Sequence, residues 1–298
     1  MGVSGMGANP DAAIMNGPVR GKQRIETIDI LRGFALFGVL TFNMIGFSGQ
    51  SLRFDAWTNR LDQMVYIFIQ FFVQAKFYSL FSFLFGWGMA VQMMRGEESG
   101  RDYLPRYVRR ILLLLLIGAI HGILIWDGDI LTDYALLGLV LILFRKRSDR
   151  FLLTSVVMCL CISTALNAPW PWMEAFRGDY AAFTKPLRTL LPGERGVLTD
   201  SYLAVTRDRL QSWLTSLVSL IYYFGNIFAM FLLGFYFGRK RIFHDIAAHL
   251  RLFRVLCAAG FVIGVPLNYI FTRTWVDPGW ITGPYARMIS NGARTFGA

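Results

Sequence analysis

Residues 111–126 read ILLLLLIGAIHGILIW. This run contains no Asp, Glu, Lys or Arg, and its one ionisable side chain is His121. Arg109 and Arg110 close it on one side, and Asp127, Gly128 and Asp129 on the other. A hydrocarbon core about 30 Å thick takes roughly 20 residues of helix to cross, with a range of about 17–25. In lipid each backbone N–H and C=O must find its partner within the chain, so such a run crosses as a helix. The reading of this stretch decides the fold class, and the rest of the chain repeats its pattern.

Working outward, uncharged apolar blocks bounded by charge recur along the chain. They predict seven spans, at 33–49, 77–94, 111–126, 130–144, 151–167, 210–238 and 255–272, the fourth short and the last kinked at Pro266. Residues 63–75 (QMVYIFIQFFVQA) lie between Asp62 and Lys76 and are too short to cross. They read as an interfacial or re-entrant helix. The expected fold is all-α, a polytopic transmembrane helical bundle of about seven spans plus interfacial helices.

Three segments flank or interrupt the bundle. Residues 1–24 are polar and Gly-rich and read as a disordered cytosolic tail. The transmembrane domain occupies 25–272, with an outer amphipathic connection at 168–209 that is rich in Trp, Pro and charge. Residues 273–298 read as an irregular tail or a truncated further span. Composition agrees: 55% of the 298 residues are hydrophobic, 16% are charged, and mean hydropathy is +0.45. Soluble domains carry more charge than this.

The basic residues set the expected orientation. Arg20, Lys22 and Arg24 precede the first span, and Arg95, Arg101, Arg106, Arg109 and Arg110 precede the third. Arg145, Lys146, Arg147 and Arg150 follow the fourth, and Arg239, Lys240 and Arg241 follow the sixth. The bend 127–133 holds no Lys or Arg. By the positive-inside rule the N-terminus is cytosolic and the Asp-Gly-Asp bend faces outward. Treating 63–75 as a full span would break this alternation. The outer connection, with six basic residues, fits the rule least well.

Several function classes drop out. A net charge of +11 invites nucleic acid, but the basic residues fall in short clusters between apolar blocks, so no nucleic-acid partner is expected. Cys159, Cys161 and Cys257 lie inside apolar stretches and form no disulfide framework. No small-residue cleavage site follows the first apolar block, which should stay as an anchor. The sequence shows no Walker loop, nucleophile elbow, H-E-x-x-H or dinucleotide fingerprint.

Ionisable groups inside spans are expensive and therefore candidates for function. Asp29 and Arg32 are three apart on one helix face, and Asn43 lies on the same face about 16 Å further along. His121 sits about 9 Å in from the Asp127 end of its helix. An imidazole there suits a general base, with Asp127 or Asp129 to orient it. Asp129 also reads as the N-cap of the fourth span, and Asp133 lies one turn further in. Three carboxylates and one His at this spacing match no standard metal site, so no metal is expected. Arg106, Arg109 and Arg110 offer a phosphate grip on a cytosolic co-substrate. Gly118-x-x-x-Gly122 and Gly234-x-x-x-Gly238 allow close helix packing.

Four strings carry a family resemblance: RIETIDILRGFALFGVL at 24–40, KFYSLFSFLFGWGMAVQ at 76–92, RRILLLLLIGAIHGILIWDGDILTDYALLGLVLILFRKRS at 109–148, and FLLGFYFGRKRIF at 231–243. In this order they resemble the YeiB family of bacterial membrane proteins, which carries a C-terminal domain of unknown function. The resemblance runs from about residue 24 to residue 272. Family members usually continue with further spans beyond the point where this sequence stops. The family in turn resembles, distantly, the transmembrane acyltransferases, including heparan-alpha-glucosaminide N-acetyltransferase and the acyltransferase-3 group.

The acyltransferase-3 signature is an Arg, ten residues, and a His in the first span. Arg32 stands at the Arg and Asn43 where the His would be. The glucosaminide acetyltransferase also has Asn there, with its catalytic His in the loop beyond. This chain has no His in 45–76, so His121 is expected to replace the base. The resemblance implies transfer of an acyl group from a cytosolic acyl-CoA, held by Arg32, Arg106, Arg109 and Arg110, to an acceptor on the outer side. His121, Asp127 and Asp129 would do the proton chemistry, and Asn43 would donate to the oxyanion. The alternative is a transporter or flippase that uses the same buried polar groups, and a third is a membrane scaffold. The expected partners are the lipid bilayer, an acceptor or solute, and a second copy of the chain in a homo-oligomer.

Overall fold

The computed structural model describes residues 26–47, 54, 57–100, 102–126, 128–167 and 201–277. The expectations for 1–24, for most of 168–209, for 278–298 and for Asp127 lie outside the described residues.

The described residues form nine α-helices and no strand. α1 is Glu26–Phe47 and α2 is Arg60–Phe68, continued by a π turn at Ile69–Val73. α3 is Lys76–Glu98, and α4 is Leu104–Ile120, continued by a π turn at His121–Ile125. α5 is Leu131–Leu141 with a 3-10 turn at Ile142–Phe144, and α6 is Asp149–Asn167. α7 is Tyr202–Arg239, α8 is Leu250–Ala259, and a third π turn at Gly260–Gly264 joins α8 to α9, Val265–Val276. Local chemistry starts several of them. Asn59 accepts from the Leu61 N–H and Ser201 from the Ala204 N–H, so each caps its helix, while Pro105 occupies the first turn of α4.

Among the described residues five stretches are long and apolar enough to cross a membrane: Glu26–Ile45, Arg60–Glu98, Leu104–Ile125, Asp149–Leu166 and Leu250–Arg273. α7 makes a sixth when its two arms, which meet at 69°, count as one broken span. Among the described residues five to six helices thus meet this length and composition, against about seven expected, and Leu131–Phe144 is the shorter apolar helix left over. That helix is too short to span lipid unaided. Its Thr132, Asp133, Tyr134, Ala135, Leu137 and Leu141 are buried, so α5 sits inside the protein and faces little lipid.

Residues 63–75 lie in α2 and its π turn, a short helical segment set off from α3 by a break at Gln74–Ala75, where Ala75 adopts φ 70°. Together with α3 it makes one apolar stretch of 39 residues. Residues 202–209, expected within the outer connection, are the opening turns of α7. The kink expected at Pro266 appears as the π turn just before it. Pro266 has no N–H for the Val262 carbonyl, and the wider turn accommodates the mismatch.

α3 packs against the second arm of α7, Tyr223–Arg239, and the two form the centre of the bundle. Glycines let them approach. Gly86 lies against the Phe231 carbonyl, Gly234 against the Phe83 carbonyl, and Gly238 against Ala90. Phe85 stacks on Phe231 with ring centroids 4.6 Å apart. The buried Tyr134 hydroxyl lies 2.6 Å from Ser82 Oγ and donates to the Tyr78 carbonyl at 2.9 Å. These bonds tie α5 to α3 without leaving a hydroxyl stranded. α1 packs on α3 through Ile28, Ala35, Leu84 and Trp87. Phe37, Leu113, Leu116, Val157 and Val262 point outward and are exposed. An apolar exterior around a tight interior is what lipid solvation requires.

Asp149 at the start of α6 pairs with Arg239 at 3.3 Å and Lys240 at 2.5 Å, and Arg241 pairs with Glu98. These contacts gather the ends of α3 and α7 and the start of α6 at one end of the bundle, hereafter the basic end.

Candidate functional site

At the opposite end, α4 widens into a π turn whose first residue is His121. The Trp126 N–H reaches back to the His121 carbonyl at 2.8 Å. The chain then bends and enters α5 through Asp129. The bend brings the two side chains together, with His121 Nδ1 3.0 Å from Asp129 Oδ1. A carboxylate only accepts, so Nδ1–H is the donor, and in a neutral imidazole the lone pair is then on Nε2.

Asp129 is fixed from two directions. Its Oδ1 accepts from the Leu131 N–H at 3.2 Å and its Oδ2 from the Thr132 N–H at 2.9 Å. It therefore caps α5, as expected. Its side chain is 2% exposed, whereas that of His121 is 30% exposed. The carboxylate is thus buried and held, and the imidazole is accessible. Gly122 makes room beside them. The nearest atoms to a Cβ built there belong to Trp213 and Asp129. Trp213 Nε1–H donates to Thr132 Oγ1 at 3.1 Å, which braces α7 against the start of α5. One turn on, the buried Asp133 accepts from the Tyr223 hydroxyl at 3.0 Å.

Three of these neighbours were not legible in the sequence. Trp213, Tyr202 and Arg209 lie on α7, far away along the chain. The Tyr202 hydroxyl and Arg209 Nη1 both donate to the Leu124 carbonyl at 2.9 Å. Arg209 belongs to the basic residues that sat uneasily in an outer connection, and that excess was the available signal.

Asn43 is not part of this arrangement. α1 packs on α3 and on the Ile69–Val73 turn, whereas the His121 turn packs on α4 and α7. No hydrogen bond joins Asn43 to His121 among the described residues. Arg32, on the same helix, reaches α3 instead.

The expected arginines divide. Arg32 lies 3.6 Å from Asp29 and over the Trp87 ring at 5.7 Å. Its Nη2 comes within 3.3 Å of where a Cβ on Gly88 would sit, and Gln92 Nε2 within 3.9 Å of the same point. Gln92 Oε1 in turn accepts from Arg110 Nη1 at 2.6 Å and from the Tyr103 hydroxyl. Arg110 thus bonds Gln92, and Arg32 lies beside Gly88 one turn away on α3, toward the basic end. Arg106 and Arg109 lie on the exposed face of α4. Arg110 and His121 share α4 and are separated by about 16 Å of helix. Among the described residues no cluster of three or more His, Cys, Asp or Glu could hold a metal ion.

Three relatives are similar to this chain. Uncharacterized protein YxaH of Bacillus subtilis (strain 168) is 36% identical over 276 residues, covering 86% of this chain and 68% of that protein. An uncharacterized 39.9 kDa protein in the amylase 3' region of Bacillus acidopullulyticus is 37% identical over 177 residues, 57% of this chain and 50% of that protein. Uncharacterized protein YeiB of Escherichia coli (strain K12) is 36% identical over 124 residues, 40% of this chain and 30% of that protein. No family model matches the chain. No solved structure matches it. With its apolar helices and these relatives, the chain belongs to the YeiB- and YxaH-like family of multi-pass membrane proteins.

Proposed function

We propose that the chain transfers an acyl group from a cytosolic acyl-CoA to a hydroxyl or amine acceptor on the outer side of a bacterial inner membrane. The observation that carries this reading is the His121–Asp129 pair. An accessible imidazole is held by a buried, doubly capped carboxylate, and the lone pair of the neutral ring is on Nε2. That is the arrangement of a general base. The positive-inside rule favours a cytosolic basic end and N-terminus, which leaves His121 toward the outside.

His121 Nε2 takes the proton of the acceptor O–H or N–H as the acceptor attacks the thioester carbonyl. The carbon–sulfur bond breaks as the tetrahedral intermediate collapses. The imidazolium returns the proton to the departing thiolate. Asp129 stabilises the imidazolium and fixes the ring. The phosphates of the donor would bind Arg32 and Arg110, so that the thioester arm extends along α4 toward His121. Asn43 has no part in this scheme, because no hydrogen bond joins it to His121 among the described residues.

The test is calorimetry of purified protein with acetyl-CoA and longer acyl-CoAs. Wild-type protein should bind a CoA ester, Arg32→Ala should weaken binding, and His121→Ala should bind but not transfer. Absence of CoA-ester binding to well-folded wild-type protein would overturn the reading.

A further inference from the structure

The basic end holds a cavity of about 320 Å³, large enough for a small ligand. It lies where the end of α3, the turn into α4 and the turn after α5 meet. Gly100, at φ 64°, ends α3 and lets the chain turn toward Asp102. Met89 and Met93 give the cavity an apolar floor, Met89 being 2% exposed and Met93 half-buried.

Four charged side chains line the same cavity, Glu97 and Asp102 of one sign and Arg145 and Lys146 of the other. Arg145 is half-buried and the other three are exposed, so the charges stand at the mouth. No ion pair joins any of the four to a partner among the described residues. Charges elsewhere at this end do pair: Glu98 with Arg241, and Asp149 with Arg239 and Lys240. Asp102 Oδ1 caps α4, accepting from the Leu104 N–H at 2.9 Å. The side chains of Glu97, Arg145 and Lys146 make no hydrogen bond among the described residues.

The two tyrosines of the lining are already committed. The Tyr107 hydroxyl donates to the Gly138 carbonyl at 3.1 Å. The Tyr103 hydroxyl donates to Gln92 and accepts from Arg110 Nη1 at 3.0 Å. The spare polar capacity of the cavity is therefore charge, two groups of each sign. A lone anion at Arg145 and Lys146 would be repelled by Glu97 and Asp102, and a lone cation would meet the reverse. A neutral apolar ligand would strip water from four charges and give nothing back.

We propose that this cavity binds a zwitterion with an apolar part. Its phosphate or carboxylate meets Arg145 and Lys146, its ammonium meets Glu97 and Asp102, and its apolar part lies on Met89 and Met93. An aminophospholipid and a free apolar amino acid share this chemistry. The cavity shares no residue with the His121–Asp129 pair or with Arg32, Gln92 and Arg110, and its role does not rest on acyl transfer.

The test uses purified full chain in non-ionic detergent, with binding followed by calorimetry and thermal unfolding. Dihexanoyl phosphatidylethanolamine and leucine carry both charges, whereas dihexanoyl phosphatidylglycerol and hexylamine carry one. A zwitterion should bind saturably and raise Tm, and each single-charge probe should bind at least tenfold more weakly. Binding of phosphatidylethanolamine alone would mark a lipid-borne ligand, and binding of leucine a water-borne one. Arg145→Gln with Lys146→Gln should weaken zwitterion binding at least tenfold. Glu97→Gln with Asp102→Asn should weaken it several-fold and strengthen binding of phosphatidylglycerol, because the acidic repulsion is gone. An asparagine at 102 still caps α4, and the other changes lie at the cavity mouth, so both double variants should unfold like wild type without ligand. No saturable zwitterion binding to wild type, a single-charge probe binding as tightly as the better zwitterion, or undiminished zwitterion binding by either double variant would overturn the proposal.

Discussion

The backbone of Gly86 on α3 lies directly under the carbonyl of Phe231 on α7. Gly234 makes the reciprocal contact with the Phe83 carbonyl. Any Cβ at either position would strike backbone, which cannot rotate aside as a side chain can. Gly86→Val or Gly234→Val should therefore separate the two central helices and destabilise the fold by about 3 kcal/mol or more. Thermal unfolding in detergent should show a lower Tm for both, with little change for Gly33→Ala, whose added Cβ meets open space.

The spacing of small residues at 234 and 238 was visible in the sequence, and so was the pairing of Asp29 with Arg32, because helix geometry fixes neighbours three and four apart. The His121–Asp129 contact was also within reach, since a tight bend returns the chain on itself. What local pattern could not show was the partner from afar. Lys76 and Asn268 are 192 positions apart, so Lys76 looked like a boundary charge. The π turns gave no periodic signal, because one extra residue per turn does not disturb an all-apolar block. α5 misled for a related reason. A short apolar block reads as a thin span, and only packing shows that its polar first turn is buried in protein.

Trp213 braces α7 against the entry to α5. Its Nε1–H is the donor to Thr132 Oγ1, and Thr132 is 2% exposed. Trp213→Phe keeps an aromatic ring against Gly122 but removes that donor. The expected loss is about 1 kcal/mol, the cost of leaving a buried hydroxyl short of a partner. Thr132→Val should cost a similar amount, and the double variant should cost less than the sum of the two. Chemical denaturation of the three variants measures the coupling.

Orientation can be checked independently of chemistry. After replacement of Cys159, Cys161 and Cys257, single cysteines at Leu203 and Ser148 report on opposite ends of the bundle. Leu203 is 79% exposed at the start of α7, and Ser148 is exposed at the basic end. In intact cells a membrane-impermeant maleimide should label Leu203→Cys at once. It should label Ser148→Cys only after permeabilisation. The reverse pattern would place the basic end outside and remove the cytosolic donor from the proposed reaction.

The sharpest test of the His121–Asp129 pair separates its structural and chemical roles. Asp129→Ala removes the cap of α5 and should cost about 1 kcal/mol of stability. Asp129→Asn keeps an oxygen for the Thr132 N–H, so Tm should fall less. It loses the negative charge that stabilises an imidazolium, so transfer should drop by about 10²–10⁴-fold. A variant that unfolds like wild type and keeps the wild-type transfer rate would show that Asp129 only caps a helix.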